Sequence, residues 1–469
     1  MTNETLSTPS IDTLRSRFRG EIVLPDNPDF DERRSLFNAV YDKHPAVIAE
    51  CDGTGDVVAA IRYARAAGLE IAVRSGGRHM SGFASADGGL VVDLARMRGV
   101  KVDRENETAW VQCGANGGDV LAETTTYGLG AVVGATTLTG VGGVNLHGGI
   151  GWLSKKLGWG CDTILELELV TADGEVLHVT PEEHPDLFWA VRGAGSNFGV
   201  VTWMKLKLAP LPEKILAGAL LYDGDQAAEI MRFLRDFNLN ATGEFSIMLD
   251  FLAGPPEEWL PKELHGKLLL SVTLVHIGDE PSQAEDDLRP FLDEFPPAVG
   301  ELTARDLLDF MLEIDADYQP VRQWYDEEQV EDLTEEVIEI AVNRAALLAE
   351  KGLGGYLIVY PFKQASVEPE VPSCFPTRPE NGWSVGTAGF WEEETGDAPH
   401  REWSDASIAA FRDAGLTTGI VYDNVQQLPD EQRQRESHGE EDWQRLREIK
   451  AKYDPENVFH LNHNIPPAN

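Results

Sequence analysis

The run 73-VRSGGRHMSGFASADGGLVVDL-94 sets an arginine, a serine, two glycines and an adjacent arginine and histidine ahead of small residues that lead into an apolar strand. A loop with so little side chain in its middle and so much chemistry beside it suits close approach of its backbone to a ligand. The residues before it support that reading. From 46 the chain reads AVIAEC as a strand, GDVVAAIRYARAAG as an amphipathic helix and LEIAVRS as a strand, which together make a βαβ unit. VVDL, TAWVQCG and the helix-forming DVLAETTTYG continue the alternation, and LELELVTADGEVLHVT reads as a hairpin around an ADGE turn.

A second glycine tract follows at 134-GATTLTGVGGVNLHGGIG-151, where seven of eighteen residues are glycine. Such density lets a backbone lie against a ligand and present its N–H groups, as dinucleotide and phosphate sites require. The spacing matches neither the strand–GxGxxG–helix fingerprint of a Rossmann turn nor a GxxxxGK[ST] loop, so the ligand indicated is a dinucleotide held by another fold. Tight turns between strands are the competing explanation for the glycines, and two tracts in one domain weigh against it. A single histidine such as His79 is, taken alone, more often a surface or hydrogen-bonded residue than a reactive one.

Composition narrows the classes. Lys plus Arg total 39 against 79 Asp plus Glu, a formal net charge of -40 spread along 469 residues, which excludes nucleic acid as a partner. With 42% hydrophobic residues and eleven tryptophans the chain folds rather than remaining disordered. An evenly acidic surface that favours arginine over lysine fits a halophilic protein in a salty cytoplasm, where salt screens self-repulsion. The length permits about three units, and two domains is the working number. Cys51, Cys113, Cys161 and Cys374 stand far apart with no CxxC pair, so neither a metal site nor a disulfide framework is indicated. No apolar leader opens the chain and no run approaches ~18 apolar residues, from which no membrane partner and a cytoplasmic location are expected.

Beyond 214 the texture changes to longer strands, FSIMLDFLAG and GKLLLSVTLVHIG, and to a helix expected over EQVEDLTEEVIEIAVNRAALLAE. These make a second, α+β domain on an antiparallel sheet. Residues 1 to about 40 are expected to wrap the first domain, irregular apart from a short helical stretch. WQRLREIKAKYDPENVFHLNHNIPP ends the chain as a helix and a coil rich in Asn, His and Pro.

Residues 46 to 210 resemble the FAD-binding domain of the vanillyl-alcohol oxidase and p-cresol methylhydroxylase superfamily, and 418 to 467 resemble the C-terminal element of its berberine bridge enzyme-like branch. AVRSGGRHMSG with DGGLVVDL, TGVGGVNLHGGIGWLSKKLGWGCDTI, VTADGEV, DLFWAVRGAGSNFGVVT, VYDN and KYDPENVFHLNHNIPP carry the likeness, in the family's order. The resemblance implies a two-domain α+β fold, with an α/β FAD domain of the p-cresol methylhydroxylase type at 40–212, a substrate domain on an antiparallel sheet at 213–415 and a segment at 416–469 returning to the FAD domain. It implies FAD, with Ser75, Gly76 and Gly77 against the pyrophosphate, flanked by Arg74, and with Arg78, His79 and Gly82 reaching the flavin ring. Thr136, Thr137, Gly140, Gly142, Gly143, Asn145, Gly148, Gly149 and Gly151 would line the other side. Asn197, Gly199, Val200, Asn462 and Asn464 would complete the site.

Two departures qualify the likeness. The family histidine that bonds the flavin's 8α carbon aligns with Arg78, one residue before His79, so either the loop shifts and His79 makes the bond or the FAD is noncovalent and Arg78 contributes a fixed charge. Thr136 and Thr137 stand where some members carry a second linking cysteine, which excludes a second bond there; Cys161 reads as a core residue. The implied activity is an FAD-dependent oxidase that takes hydride from a C–H beside a hydroxyl or amine of a small molecule, with molecular oxygen as acceptor. A dehydrogenase serving a quinone or carrier, and a flavin-binding protein without turnover, are the alternatives. Tyr422 of GIVYDN is the candidate base, on one strand face with Asn424. Its ordinary pKa of ~10 requires a cation such as Arg78 or Lys155 to lower it. FPTR and GFWEEE of the second domain carry no chemical code, so sugars, alcohols and polycyclic secondary metabolites remain open as substrates.

Overall fold

Val57, Ala60, Ile61 and Ala64 share one face of the Thr54–Ala67 helix, and all four are buried. Gly68, at φ 68°, ends the helix in the left-handed conformation and turns the chain back into the sheet. In the computed structural model, which describes residues 9–240, 244–278, 281–315, 319–362, 369, 371–376 and 381–468, this helix belongs to a parallel unit. Val47–Glu50 and Ile71–Arg74 both pair parallel with Leu90–Asp93. Glu21–Val23 adds an antiparallel edge, so the N-terminal residues supply a strand and the helices Ile11–Arg15 and Phe30–Arg34 where a mostly irregular wrap was expected.

A five-stranded antiparallel sheet follows in the order Val100–Asp103, Thr108–Gln112, Val200–Lys207, Ile164–Val170 and Val176–Val179. The expected hairpin is its last pair. These two sheets share an apolar core with the C-terminal helix Glu440–Tyr453, through Trp443, Leu446 and Ile449, and with Phe459 and Ile465 of the tail.

A seven-stranded antiparallel sheet stands apart, ordered Thr303–Arg305, Ile215–Asp223, Leu268–His276, Phe245–Ala253, Gly355–Pro361, Trp383–Trp391 and Arg322–Val330. Helices Ala227–Asn240, Glu335–Lys351 and Asp397–Asp413 bury their apolar faces with one face of this sheet in a second core. The helix expected from Glu328 onward starts only at Glu335, capped by the Thr334 side chain. Glu328, Gln329 and Val330 belong to a strand, because every second residue there must face the sheet's buried side. Two α+β layers thus lie side by side, with the tail returning to the first.

Candidate active site: two adjoining cavities

The two glycine tracts meet backbone on backbone. A Cβ on Gly76 would lie 2.7 Å from the Gly140 nitrogen, and one on Gly140 would lie 2.5 Å from the Gly76 nitrogen. Ser75 Oγ donates to the Cys113 carbonyl at 2.5 Å and locks the crossing. Beside it opens a cavity of about 290 Å³ whose wall includes Ser75, Gly76, Gly77, Arg78, His79, Thr136, Gly140 and Gly143. Phe459, Leu461, Asn462 and His463 of the tail close another side.

This lining fits a flavin nucleotide on two grounds. A Cβ on Gly143 would meet nothing within 4 Å, so the backbone there faces open space. Polar atoms around the cavity also lack hydrogen-bond partners among the described residues: Asn462 Oδ1 and both ring nitrogens of His463, whereas His147 Nδ1 faces Asp423 at 3.8 Å. Buried polar atoms without partners are costly, and the polar edge of a flavin would satisfy such a set.

A second cavity, about 380 Å³, lies against the first. Both touch Phe37, Met80, Thr136, Ile150 and Tyr422. Its remaining wall is largely aromatic and aliphatic, with Trp152, Met248, Tyr325, Tyr356, Ile358, Tyr360 and Phe390, and it also includes Lys155. Lys155 Nζ donates to Asn238 Oδ1 at 3.1 Å. The seven-stranded sheet supplies much of this wall, since Tyr325, Ile358 and Tyr360 lie on neighbouring or near-neighbouring strands.

Several residues expected at the cofactor make scaffold contacts. Arg74 is buried in an ion pair with Asp93 on the neighbouring strand, at 2.5 Å. Gly82 packs on Tyr41, Gly142 on the Cys113 carbonyl and Gly199 on Leu169, each too close for a side chain. Gly148, at φ 105°, packs on Phe375, and Gly149 sits against the Val144 carbonyl. The Thr137 amide and hydroxyl both bond Asp315. Asn145 donates to the Val132 carbonyl at 3.0 Å, and Val200 is buried in its strand. Asn197 pins the tail, donating to the His463 carbonyl and accepting from the Ile465 amide. Asn464 is absent from the lining of both cavities, and Gly151 lines the second cavity rather than the first.

Tyr422 stands between the cavities, in a coil that leads into the turn Asp423–Val425 rather than in a strand. Its hydroxyl still lies beside Asn424, accepting from Asn424 Nδ2 at 3.2 Å and from the Ile150 amide at 3.1 Å. Burial pushes its pKa well up, against those two hydrogen bonds, and Glu327 adds to the rise. No cation is among the causes of that shift. His79 Nδ1 accepts from the Ser81 amide at 3.1 Å, so Nε2 carries the proton and donates to the Asp423 carbonyl at 2.9 Å. Burial pushes its pKa down to about 3, so the ring is neutral. The Arg78 guanidinium sits over the Phe37 ring, 3.8 Å from its centroid.

Residues 45–180 match the family profile described as an FAD binding domain, and 412–466 match the one described as berberine and berberine like. The chain is 32% identical over 467 residues to the (R)-6-hydroxynicotine oxidase of Paenarthrobacter nicotinovorans, covering 96% of this chain and 97% of that protein. The chain belongs to the berberine bridge enzyme-like FAD-linked oxidoreductases. The structure of 6-hydroxy-D-nicotine oxidase from Arthrobacter nicotinovorans superposes with a TM-score of 0.85 at 28% identity over all of both chains. Xylooligosaccharide oxidase from Myceliophthora thermophila C1 shares the fold, with a TM-score of 0.81 at 23% identity over 98% of this chain and 99% of that one. The protein is thus an enzyme with FAD as its cofactor. Among the described residues no helix is long and apolar enough to cross a membrane, and no cluster of His, Cys, Asp or Glu could hold a metal. All four cysteines are buried and none forms a disulfide.

The sequence reading did not single out Phe37, His147, Ser196, Phe459 or His463, all of which line the first cavity. His147 lies inside the glycine tract and His463 between the two tail asparagines, so their positions carried a signal. Phe37 lies in an aperiodic stretch and carried none.

Proposed function

We propose that this chain is an oxidase that binds FAD without a covalent bond and oxidises a compact, largely apolar alcohol or amine, with molecular oxygen as acceptor. The observation that carries this is the shared wall at Tyr422, with a cavity of glycine backbone and unpartnered polar atoms on one side and an aromatic cavity on the other. FAD would contribute the two-electron acceptor. Ser75, Gly76, Gly77, Gly140 and Gly143 would hold it with their backbones, Asn462 and His463 would hydrogen-bond it, and Arg78 would supply a fixed positive charge. The Tyr422 hydroxyl would donate to the reacting oxygen or nitrogen and orient it. Noncovalent binding is supported by His79, whose two ring nitrogens are engaged by the backbone, and by Arg78 at the position that aligns with the family's linking histidine. The apolar lining and the relative named for 6-hydroxynicotine both favour an apolar ring compound over an oligosaccharide, whose many hydroxyls need more polar partners than this wall provides.

We take 40–212 and 416–469 as the FAD domain and 213–415 as the substrate domain, a division that the second apolar core, whose buried residues all lie between Leu216 and Phe411, supports. The test of the whole reading is direct. Acid precipitation of the yellow protein is expected to release FAD into the supernatant, and 6-hydroxynicotine or a related cyclic amine to yield hydrogen peroxide in air. Flavin kept in the pellet would overturn noncovalent binding, and reduction of an added quinone with no peroxide would make the enzyme a dehydrogenase. The charge of -40 supports a salty cytoplasm as its surroundings. The melting temperature is then expected to climb from low to molar salt, and a flat response would remove that inference.

A further inference from the structure

Asp423 lies between Tyr422 and Asn424, both of which line the first cavity, and is itself buried. Gln434 of the Glu431–His438 helix donates to its Oδ1, and His147 turns Nδ1 toward its Oδ2 from 3.8 Å, beyond hydrogen-bond reach. A buried carboxylate is costly without a cation, and among the described residues no lysine or arginine pairs with this one. The cavity in front of it is read as the seat of an anionic dinucleotide, so an unbalanced carboxylate there would repel the cofactor. The groups whose charge bears on Asp423 are His463 and His147.

His79, His147 and His463 all line the cavity, each from a different element. His79 has no nitrogen left for a second proton, because Nδ1 accepts from the Ser81 amide while Nε2 donates to the Asp423 carbonyl. His463 is built differently. Its ring is buried in the tail, 5.5 Å from the His79 ring and edge-on to Phe83 at 5.1 Å, and neither of its nitrogens has a hydrogen-bond partner among the described residues. The other titratable groups around Asp423 are committed elsewhere. His438, on the helix that carries Gln434, donates from Nδ1 to the Cys374 carbonyl at 3.0 Å, and burial holds its pKa below the ordinary range. Burial pushes the Cys374 thiol and the Tyr422 hydroxyl up, so both stay neutral, and Arg78 rests on the Phe37 ring.

We propose that His463 holds FAD as an imidazolium whose charge Asp423 balances, so that His463 gains one proton as the cofactor binds. The inference rests on the reading of the first cavity as a noncovalent FAD site. The proton comes from solvent and adds to a ring nitrogen, and no covalent bond of the chain or the cofactor breaks. In the FAD-free protein burial keeps the His463 pKa below the ordinary histidine range, against the pull of Asp423, so the ring is neutral near neutrality. The negative charge of a dinucleotide adds to that of Asp423 and raises the His463 pKa. Asp423 stays ionised throughout: burial works against its charge, but His463, His147 and Gln434 hold its pKa well below the usual carboxylate range. His463 is thus the group that touches the cofactor, and Asp423 acts through it as a positioning residue. FAD affinity is then full below the FAD-free pKa of His463, falls by roughly tenfold per pH unit between that value and the FAD-bound one, and levels off above.

The experiment uses the holoenzyme and its Asp423→Asn and His463→Gln variants, with FAD itself as the probe. FAD released on dilution is followed by its fluorescence from about pH 6 to about pH 9, and the wild-type dissociation constant is expected to rise by roughly tenfold per pH unit over part of that range. Both variants are expected to give flat profiles. Asp423→Asn is expected to bind FAD more weakly than the wild type at the acid end and more tightly at the alkaline end, where the wild type leaves an unbalanced carboxylate behind the cofactor. A carboxylate that served the fold alone would weaken FAD at every pH when replaced. Magnetic resonance of isotope-labelled histidine in the holoenzyme is expected to show His463 as an imidazolium near neutrality, a signal missing in His463→Gln and turned neutral in Asp423→Asn. A wild-type dissociation constant independent of pH, or a neutral His463 with FAD bound, would overturn the proposal, and both readings stand even if Asp423→Asn fails to fold. Flavin that stays on the chain after acid precipitation would refute noncovalent binding instead, and the His463 signal alone would then decide. Protein that carries no flavin and takes up none would remove the cofactor reading and this inference with it.

Discussion

The two cavities share a wall yet are built from different materials, and that difference decides what a sequence can disclose. The first is made by loops whose backbones approach each other and a ligand, a demand that only glycine meets at close range, so its residues stand out as tracts. The second is floored by a sheet, and its wall is assembled from side chains such as Met248, Tyr325, Ile358 and Phe390 that lie far apart in the chain. Each of them looks like any strand residue until the register brings them together. Glu327 is the sharpest case: the residues directly after it invite a helix, and only the pairing with Gly386 puts its carboxylate behind two tyrosines.

Even in the glycine tracts the letter alone does not separate ligand from scaffold, and the neighbours Gly142 and Gly143 offer the strongest break of the comparison. A Cβ on Gly142 would lie 2.4 Å from the Cys113 carbonyl, whereas one on Gly143 would enter open space on the cavity wall. Gly143→Val is expected to fold with an unchanged circular dichroism spectrum and to purify without FAD. Gly142→Val is expected to lower the melting temperature whether or not FAD is added, since a clash with backbone costs about 1–3 kcal/mol or more. Full FAD occupancy in Gly143→Val would show that this wall faces something other than the cofactor.

The parallel unit, the hairpin and the returning tail were legible because each rests on local chemistry: period-3.6 apolar spacing closed by Gly68, alternation around a turn, and a helix followed by a coil of Asn and Pro. The N-terminal edge strand was not, because Glu21–Val23 is too short to show a period and forms only by pairing with Val47–Glu50. Among the site residues, Ser75 to His79 and Gly140 were legible as positions, but the role of Arg74 was not, since its ion pair with Asp93 depends on strands that neighbour each other in space alone. The tail was recognised from NHNIPP without the anchor that holds it.

That anchor gives a second, smaller test of whether the tail side of the flavin cavity matters as much as the glycine side. Lys450 is completely buried and donates to Asp454 at 2.6 Å, to the Asn197 carbonyl at 2.6 Å and to the Phe459 carbonyl at 3.0 Å. One ammonium thus joins the C-terminal helix, the 195–197 turn and the start of the segment carrying Asn462 and His463. Lys450→Met leaves Asp454 as a buried charge without its cation, and is expected to cost about 3–5 kcal/mol in denaturant unfolding. The same variant is expected to release FAD more readily on dilution. A stability loss with unchanged FAD affinity would mean that the tail closes the fold but does not grip the cofactor.

The smallest expected effect lies at Arg78, where this chain departs from its family. The guanidinium rests on Phe37, a residue common to both cavities, so removing it leaves the glycine crossing at Gly76 and Gly140 untouched. Arg78→Ala is therefore expected to fold and to bind FAD, with the loss confined to electrostatics. A positive charge beside the flavin favours its anionic reduced form, so the variant is expected to have a lower potential by roughly 30 mV, equivalent to ~1.4 kcal/mol in a two-electron couple. Spectral redox titration of the two proteins against a reference dye measures that shift. His79→Ala serves as the counterpart, because a neutral ring held by the Ser81 amide and the Asp423 carbonyl contributes position without charge, and it is expected to loosen FAD while leaving the potential in place. Should the potential move in His79→Ala and stay fixed in Arg78→Ala, the histidine rather than the arginine would set the electrostatics of this wall. The separation of roles between these two adjacent residues would then be reversed.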